Sequence, residues 1–110
     1  MYNEYQQQKL RIERNLTTYQ DIFGQSIATA WWNFDLEQLE ATLNGLLGLG
    51  DVAGVLFINA ESEILFKDGN APDPSQQPWP TEFYKQFDIE YDDSVIGSLY
   101  IFSSHEIVFS

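Results

Sequence analysis

The run Trp31-Trp32-Asn33-Phe34-Asp35 separates two helical patterns and so decides how the chain begins to fold. Asp35 is a preferred N-cap residue, because its carboxylate can accept hydrogen bonds from the free N–H groups of a first helical turn. Gln38, three residues on, is placed to reach back to Asp35 and complete a capping box. We therefore predict a structural joint made by Trp31, Trp32, Phe34 and Asp35. Core packing with a helix cap is the simpler interpretation of it, and transmission of movement between helix and sheet is the functional one.

The pattern before the joint predicts one long helix over residues 3–30, which contain no proline. Apolar side chains recur there with heptad-like spacing, and Ser26 completes a narrow seam formed by Ile12, Leu16, Tyr19, Phe23 and Ala30. A helix of about 28 residues is about 42 Å long, which exceeds the diameter of a domain of this size. We therefore predict that the polar first turns project as a stalk. The seam is the candidate contact between two copies in a homodimer.

The pattern after the joint predicts a second helix and then four strands. The helix covers residues 36–47, and its leucines share one face before Gly48 and Gly50 end it. Apolar runs of strand type predict strands at 52–58, 63–67, 83–91 and 96–102, with residues 92–95 as a turn. A long loop over residues 68–80 holds all four prolines. This order predicts an α+β fold, in which an antiparallel sheet carries both helices on one face.

Composition narrows the function classes. The 110 residues are enough for one domain with its own core, since 44% of them are hydrophobic. A net charge of -12 repels phosphate backbones and anionic lipid headgroups, so we predict no binding of nucleic acid. The chain has no cysteine and a single histidine, His105, so it offers few metal or nucleophile–base constellations. We therefore predict no cofactor and no enzymatic activity of the domain itself.

These features together resemble the extracytoplasmic PAS-like sensor domains, of the Cache or CHASE type, of bacterial transmembrane receptors. The resemblance rests on the segment Trp32-Asn33-Phe34-Asp35, the apolar run 51–58 and the closing patterns 87–91 and 96–101, and it covers nearly the whole chain. It implies a single sensor domain over residues 1–110. Residues 1–30 would be the stalk and dimerisation helix, and residues 31–110 the PAS-like sensing fold.

The same resemblance implies a place and a role. Such domains lie in the periplasm as part of an inner-membrane protein, for example a histidine kinase, a diguanylate cyclase or a phosphodiesterase. The chain itself contains no apolar stretch near the roughly 20 residues of a membrane span. We therefore expect a soluble segment of a membrane-embedded parent. Its stimulus would be a small molecule or a protein, relayed through the first helix.

In PAS-like sensors the ligand sits between the sheet and the long loop. By that resemblance the candidate ligand-binding residues are all aromatic: Phe57, Phe66, Trp79, Phe83, Tyr84 and Tyr100. Trp79 is the preferred one, because Pro78 and Pro80 hold it rigidly in the loop. Aromatic residues at strand spacing are more often core than pocket, so packing is the alternative for each of the others.

Two other functions remain open, and a metal site is a third that we do not expect. A soluble cytosolic PAS-like or profilin-like interaction module would show the same element order. A small hydrolase would use paired carboxylates such as Asp88 and Glu90. With Asp92 and Asp93, those carboxylates also offer hard oxygen ligands for Ca²⁺ or Mg²⁺. Their spacing matches no metal-binding loop, and a charged strand face with a solvated turn explains them, so we predict no metal site.

Overall fold

The computed structural model describes residues 4–76 and 84–103, with side chains described from residue 7 to residue 75 and again from residue 84 to residue 103. The elements, in chain order, are α1 (Glu4–Trp32), α2 (Leu36–Leu47), β1 (Val52–Asn59), β2 (Ile64–Gly69), a 3-10 turn (Pro74–Gln76), β3 (Tyr84–Tyr91) and β4 (Ser94–Ser103). The predicted α+β class and the element order are confirmed.

The four strands form one antiparallel sheet in the order β2-β1-β4-β3. Both helices pack on the same face, with α1 against β3, β4 and α2, and with α2 against β1 and β2. The chain must pass from β2 at one edge to β3 at the other. The described part of that connection, residues 70–76, places Ala71 against the opposite face of the sheet. The sheet therefore has a helix face and a loop face.

The helix face carries the larger core, in which α1 contributes much of the packing. Ile12, Leu16 and Ala30 of the predicted seam are buried in this core, and Tyr19 and Phe23 pack against it. Ser26 is exposed, contrary to its place in the seam, while the neighbouring Ile27 is fully buried. A straight helix of 3.6 residues per turn drifts about 20° per heptad, so the buried face moves off a strict seven-residue repeat.

The loop face carries a second, smaller core. Leu56 of β1 and Phe102 of β4 are buried there with Ala71 from the connection. The loop approaches β1 closely at Gly54, where an added Cβ would lie 2.6 Å from Asn70 Oδ1 and 2.7 Å from the Ala71 amide nitrogen. A side chain at position 54 would therefore push the connection away from the sheet.

The β3–β4 turn is tighter than the sequence indicates. Asp92 and Asp93 both have positive φ, 54° and 67°, which is the pattern of a two-residue type I′ hairpin turn. Ser94 and Val95, expected in the turn, belong instead to β4. The right-handed twist of paired strands favours such a turn, and aspartate tolerates left-handed backbone better than most residues do.

Candidate functional site

The joint between the helices is closed by backbone hydrogen bonds that end α1. The Asp35 N–H donates to the Ala30 carbonyl at 2.8 Å, and the Phe34 N–H donates to the Trp31 carbonyl at 3.0 Å. This is the Schellman arrangement, in which the residue before the last donor adopts a left-handed conformation. That residue is Phe34, with φ of +55° where glycine is usual. A non-glycine residue is strained in this conformation, and Phe34 is 74% exposed.

Asp35 also begins α2, as predicted. Its side chain accepts a hydrogen bond from the Gln38 N–H at 3.2 Å. The reciprocal half of the predicted capping box is not formed, because the Asp35 N–H is already bonded to Ala30. The Gln38 side-chain amide donates instead to Thr42 Oγ1 at 3.2 Å. One aspartate therefore ends the first helix through its backbone and caps the second through its side chain.

The aromatic residues of the joint connect α1 to the sheet. The Trp31 and Phe34 rings meet edge to face with their centroids 5.4 Å apart. Trp32 stacks on Tyr91, at the end of β3, with centroids 4.9 Å apart and planes 16° apart. A stacked pair of this kind stabilises a contact by roughly 0.5–1.5 kcal/mol beyond the area that it buries. This stack joins the C-terminal end of α1 to the end of β3.

A second connection holds the middle of α1 to the start of β1. The Tyr19 hydroxyl donates to Asp51 Oδ1 at 2.5 Å, and the Asn15 side-chain amide donates to Asp51 Oδ2 at 3.2 Å. Asp51 directly precedes β1. The hydrogen bond to this carboxylate raises the pKa of Tyr19, and partial burial and the negative charge add to the effect. Both oxygens of Asp51 are thus bonded to α1.

A cleft of about 580 Å³ opens on the loop face of the sheet, between the β1–β2 turn, β4 and the 3-10 turn. Most of the lining residues are small, and about half of them are polar. They are Ile58, Asn59, Ala60, Ser62, Pro74, Ser75, Val95, Gly97, Ser98 and Tyr100. Hydrogen bonds from Ser75 to the Asp73 carboxylate, which lower the pKa of Asp73, close the 3-10 turn at one wall. The volume suits a small metabolite.

Asn59 builds the opposite wall of this cleft. It is buried, and its Oδ1 accepts from the Glu61 and Glu63 N–H groups, both at 2.9 Å. Its side-chain amide donates to Glu63 Oε1 at 2.8 Å. Sequence reasoning missed this residue, although an asparagine opening a polar turn is a known signal for side-chain hydrogen bonds to the following backbone.

A family model described as CHASE5, a periplasmic sensor domain found in signal transduction proteins, matches residues 4–110. The chain belongs to the CHASE5 family. Among curated proteins, no sequence is similar enough to count as a match. The expected extracytoplasmic sensor identity is therefore confirmed at the level of the family.

The CHASE5 fold separates the four predicted ligand-binding residues that the structure describes. Tyr84 and Tyr100 lie together on the loop face, where Tyr84 also stacks on Phe102 with centroids 5.3 Å apart. Phe57 is fully buried in the helix-face core, and Phe66 packs against the same core. Trp79 and Phe83 lie outside the described residues, as does His105. Of the four members that the structure describes, Tyr100 alone lines the cleft, so ligand binding by these residues stays a prediction.

In the CHASE5 domain, the carboxylates considered above for catalysis or metal binding lie in β3 and in the β3–β4 turn. Asp88 accepts a hydrogen bond from the Gln86 side chain on an exposed strand face, and Asp92 and Asp93 form the hairpin turn. Within residues 4–76 and 84–103, no three acidic, histidine or cysteine side chains are grouped as metal ligands. In the same ranges, neither helix is long and apolar enough to cross a membrane.

Proposed function

We propose that this CHASE5 domain is the signal-input part of a membrane-bound signalling protein, such as a histidine kinase or a diguanylate cyclase or phosphodiesterase. A small molecule binds in the cleft on the loop face. Binding is relayed to α1, the helix that leads back toward the membrane. The family description supports the sensing role and the periplasmic place, and the geometry of β1 supports the route of the relay.

The observation that carries the proposal is that β1 joins the cleft to α1. Its last residues, Ile58 and Asn59, line the cleft. Its first residue follows Asp51, whose two carboxylate oxygens are bonded to Tyr19 and Asn15 of α1. Because a strand is stiff along its length, a ligand that shifts the β1–β2 turn also strains the bonds to α1. Such a ligand favours one of two arrangements of the helix against the sheet, as a switch requires.

The lining of the cleft indicates which ligands fit. Serine hydroxyls and the Asn59 region provide polar groups, and the described residues that line the cleft include neither lysine nor arginine. An anion would find no opposite charge there, in a domain whose formal net charge is -12. We therefore expect a neutral or cationic polar metabolite.

A thermal-shift screen of such metabolites tests the proposal, because a ligand that binds only the folded state raises the melting temperature. Ser98→Phe fills the cleft, since Ser98 lines it. Ser94→Phe is the matched control, because it makes the same change in the same strand at an exposed position that does not line the cleft. A metabolite bound in the cleft stabilises the wild type and Ser94→Phe but not Ser98→Phe. Stabilisation retained in Ser98→Phe contradicts the assignment of the cleft.

The proposed homodimer has to use a different part of α1 from the predicted seam. Ile12, Leu16 and Ala30 are already buried within the domain. The outward half of the helix exposes Leu10 and Ile22, which are 58% and 64% accessible. If α1 forms the dimer contact through this half, Ile22→Lys lowers the dimer fraction in sedimentation experiments, while Ala41→Lys, at an exposed position of α2, changes it less. Equal effects of the two would contradict this contact.

A further inference from the structure

A second surface, separate from the cleft, lies on the helix face between α2 and the edge strand β2. It is a groove of about 310 Å³. Its walls are almost wholly apolar, with one charged residue, and consist of Leu36, Leu39, Glu40, Leu43, Ile64, Leu65 and Phe66. The floor belongs to the core, because Leu39 and Leu43 are buried.

The rim of the groove exposes large apolar side chains to water. Leu36 is 59% accessible and Ile64 is 50% accessible. Phe34, two residues before Leu36, is also exposed. Single exposed apolar residues are ordinary, but a cluster around a groove is typical of a surface that another molecule covers.

The strand beside the groove also has an open edge. In the described sheet, β2 is hydrogen-bonded to β1 on one side and forms the edge on the other. An edge strand offers free backbone N–H and C=O groups to an added extended chain. The groove and this edge run side by side, so one polypeptide segment can use both.

Charge limits what can bind there. The joint and the two hairpin turns lie at the same end of the domain, since Trp32 stacks on Tyr91 and Asn59 pairs with Gly97 near the β3–β4 turn. That end carries Asp35, Glu37, Glu40, Glu61, Glu63, Glu90, Asp92 and Asp93.

The basic residues lie elsewhere. Lys9, Arg11 and Arg14 are in the first half of α1, at the other end of the molecule. Lys85 pairs with Ile101, away from the turns. Lys67 follows Phe66 in β2 and therefore points to the loop face rather than into the groove. Among the described residues, no lysine or arginine lies beside the groove to offset the negative charge of the neighbouring glutamates and aspartates.

We infer that the groove between α2 and β2 binds a segment of a separate protein or peptide that carries apolar side chains flanked by lysine or arginine. The apolar side chains cover Leu36 and Ile64, and the basic groups meet Glu37 and Glu40. A second copy of this chain placed groove to groove would oppose acidic residues to acidic residues, and an anionic membrane surface would be repelled as well. The inference does not depend on the proposed relay from the cleft.

Fluorescence anisotropy with a labelled peptide of alternating leucine and lysine tests this surface. The wild-type domain should bind the peptide, and a peptide of alternating leucine and glutamate should not bind. Leu36→Ser with Ile64→Ser should weaken binding at least about fivefold, because the apolar contact is lost. The matched control is Leu10→Ser with Ile22→Ser, which removes two similarly exposed apolar residues from α1. Measured at a protein concentration where sedimentation shows only monomer, so that the proposed dimer contact does not contribute, it should change affinity less than about twofold.

A second pair of variants tests the charge. Glu37→Gln with Glu40→Gln and, as control, Glu13→Gln with Asp21→Asn each remove two negative charges from the chain. The first pair should weaken binding more than the second, and the difference should shrink at high salt. Absence of peptide binding, or equal losses in groove and control variants, overturns the inference. A stabilising metabolite found for the cleft leaves this outcome unaffected, so the two proposals can fail separately.

Discussion

The Tyr19 hydroxyl of α1 donates a 2.5 Å hydrogen bond to the carboxylate of Asp51, the residue immediately before β1. The bond joins residues 32 positions apart in the chain. With the stacking of Trp32 on Tyr91, it holds α1 to the sheet at two places. The position of α1 is therefore set by specific polar and aromatic contacts as well as by the apolar core.

Tyr19→Phe should lower the free energy of unfolding by about 1 kcal/mol, because it removes one hydrogen bond to a charged acceptor and leaves the ring packing in place. Urea denaturation of the two proteins measures the difference. A double-mutant cycle with Asp51→Ala then isolates the pair. If Tyr19→Phe costs as much in the Asp51→Ala background as in the wild type, the two side chains are not coupled.

The raised pKa of Tyr19 makes the stability of the fold depend on pH in the alkaline range. The folded protein holds the phenolic proton to a higher pH than the unfolded chain, whose tyrosines titrate near pH 10. This stabilisation is complete below about pH 10 and is lost as the pH rises toward the folded-state pKa. Above about pH 10 the wild type should therefore lose stability more steeply than Tyr19→Phe, as followed by urea midpoints. Parallel curves would show that Tyr19 does not contribute.

The left-handed backbone of Phe34 predicts an unusual order of stabilities at this position. Phe34→Gly and Phe34→Ala both remove the ring that meets Trp31. Glycine adopts positive φ without a steric cost, so Phe34→Gly should be more stable than Phe34→Ala by about 1 kcal/mol. In an ordinary helical position the order is the reverse. Thermal denaturation of the two variants measures this order, and a higher melting temperature for Phe34→Ala would contradict it.

Asn59→Ala should cost about 2 kcal/mol, because it removes the shared acceptor of two part-buried hydrogen bonds from backbone N–H groups of the β1–β2 turn. Asn59→Asp keeps the acceptor but loses the donor to Glu63, and it places two carboxylates side by side. Its stability should therefore recover on acidification, when either carboxyl is protonated. Chemical denaturation at neutral and acidic pH measures both effects. Equal losses for the two variants at both pH values would contradict the role of Asn59 as organiser of the turn.

Much of this fold follows from local sequence signals. The change from helical to strand spacing, the cap at Asp35 and the glycines after Leu47 place α2 and β1 where the structure has them. The seam of α1 could not be assigned to a partner in this way, because a heptad-like pattern does not say whether its apolar face meets a second helix or the sheet of the same chain. In the structure, Leu16 and Ala30 pack within the domain.

The cleft was harder to predict, for two physical reasons. Its walls come from residues far apart in the chain, such as Asn59 and Ser98, which only the pairing of β1 with β4 brings together. Its lining also consists mainly of small residues, whereas the aromatic pattern of the sequence indicated large side chains. Strand alternation alone could not say whether Phe57 and Tyr100 face the same side of the sheet.

Hydrogen–deuterium exchange of the α1 amides tests the proposed relay from the cleft to the helix. The measurement compares the domain with and without a metabolite that stabilises the wild type but not Ser98→Phe. The relay predicts that binding changes exchange in α1 around Asn15 and Tyr19, and that Asp51→Asn weakens this change. Exchange that changes only around the cleft, with α1 unaffected, would contradict the relay.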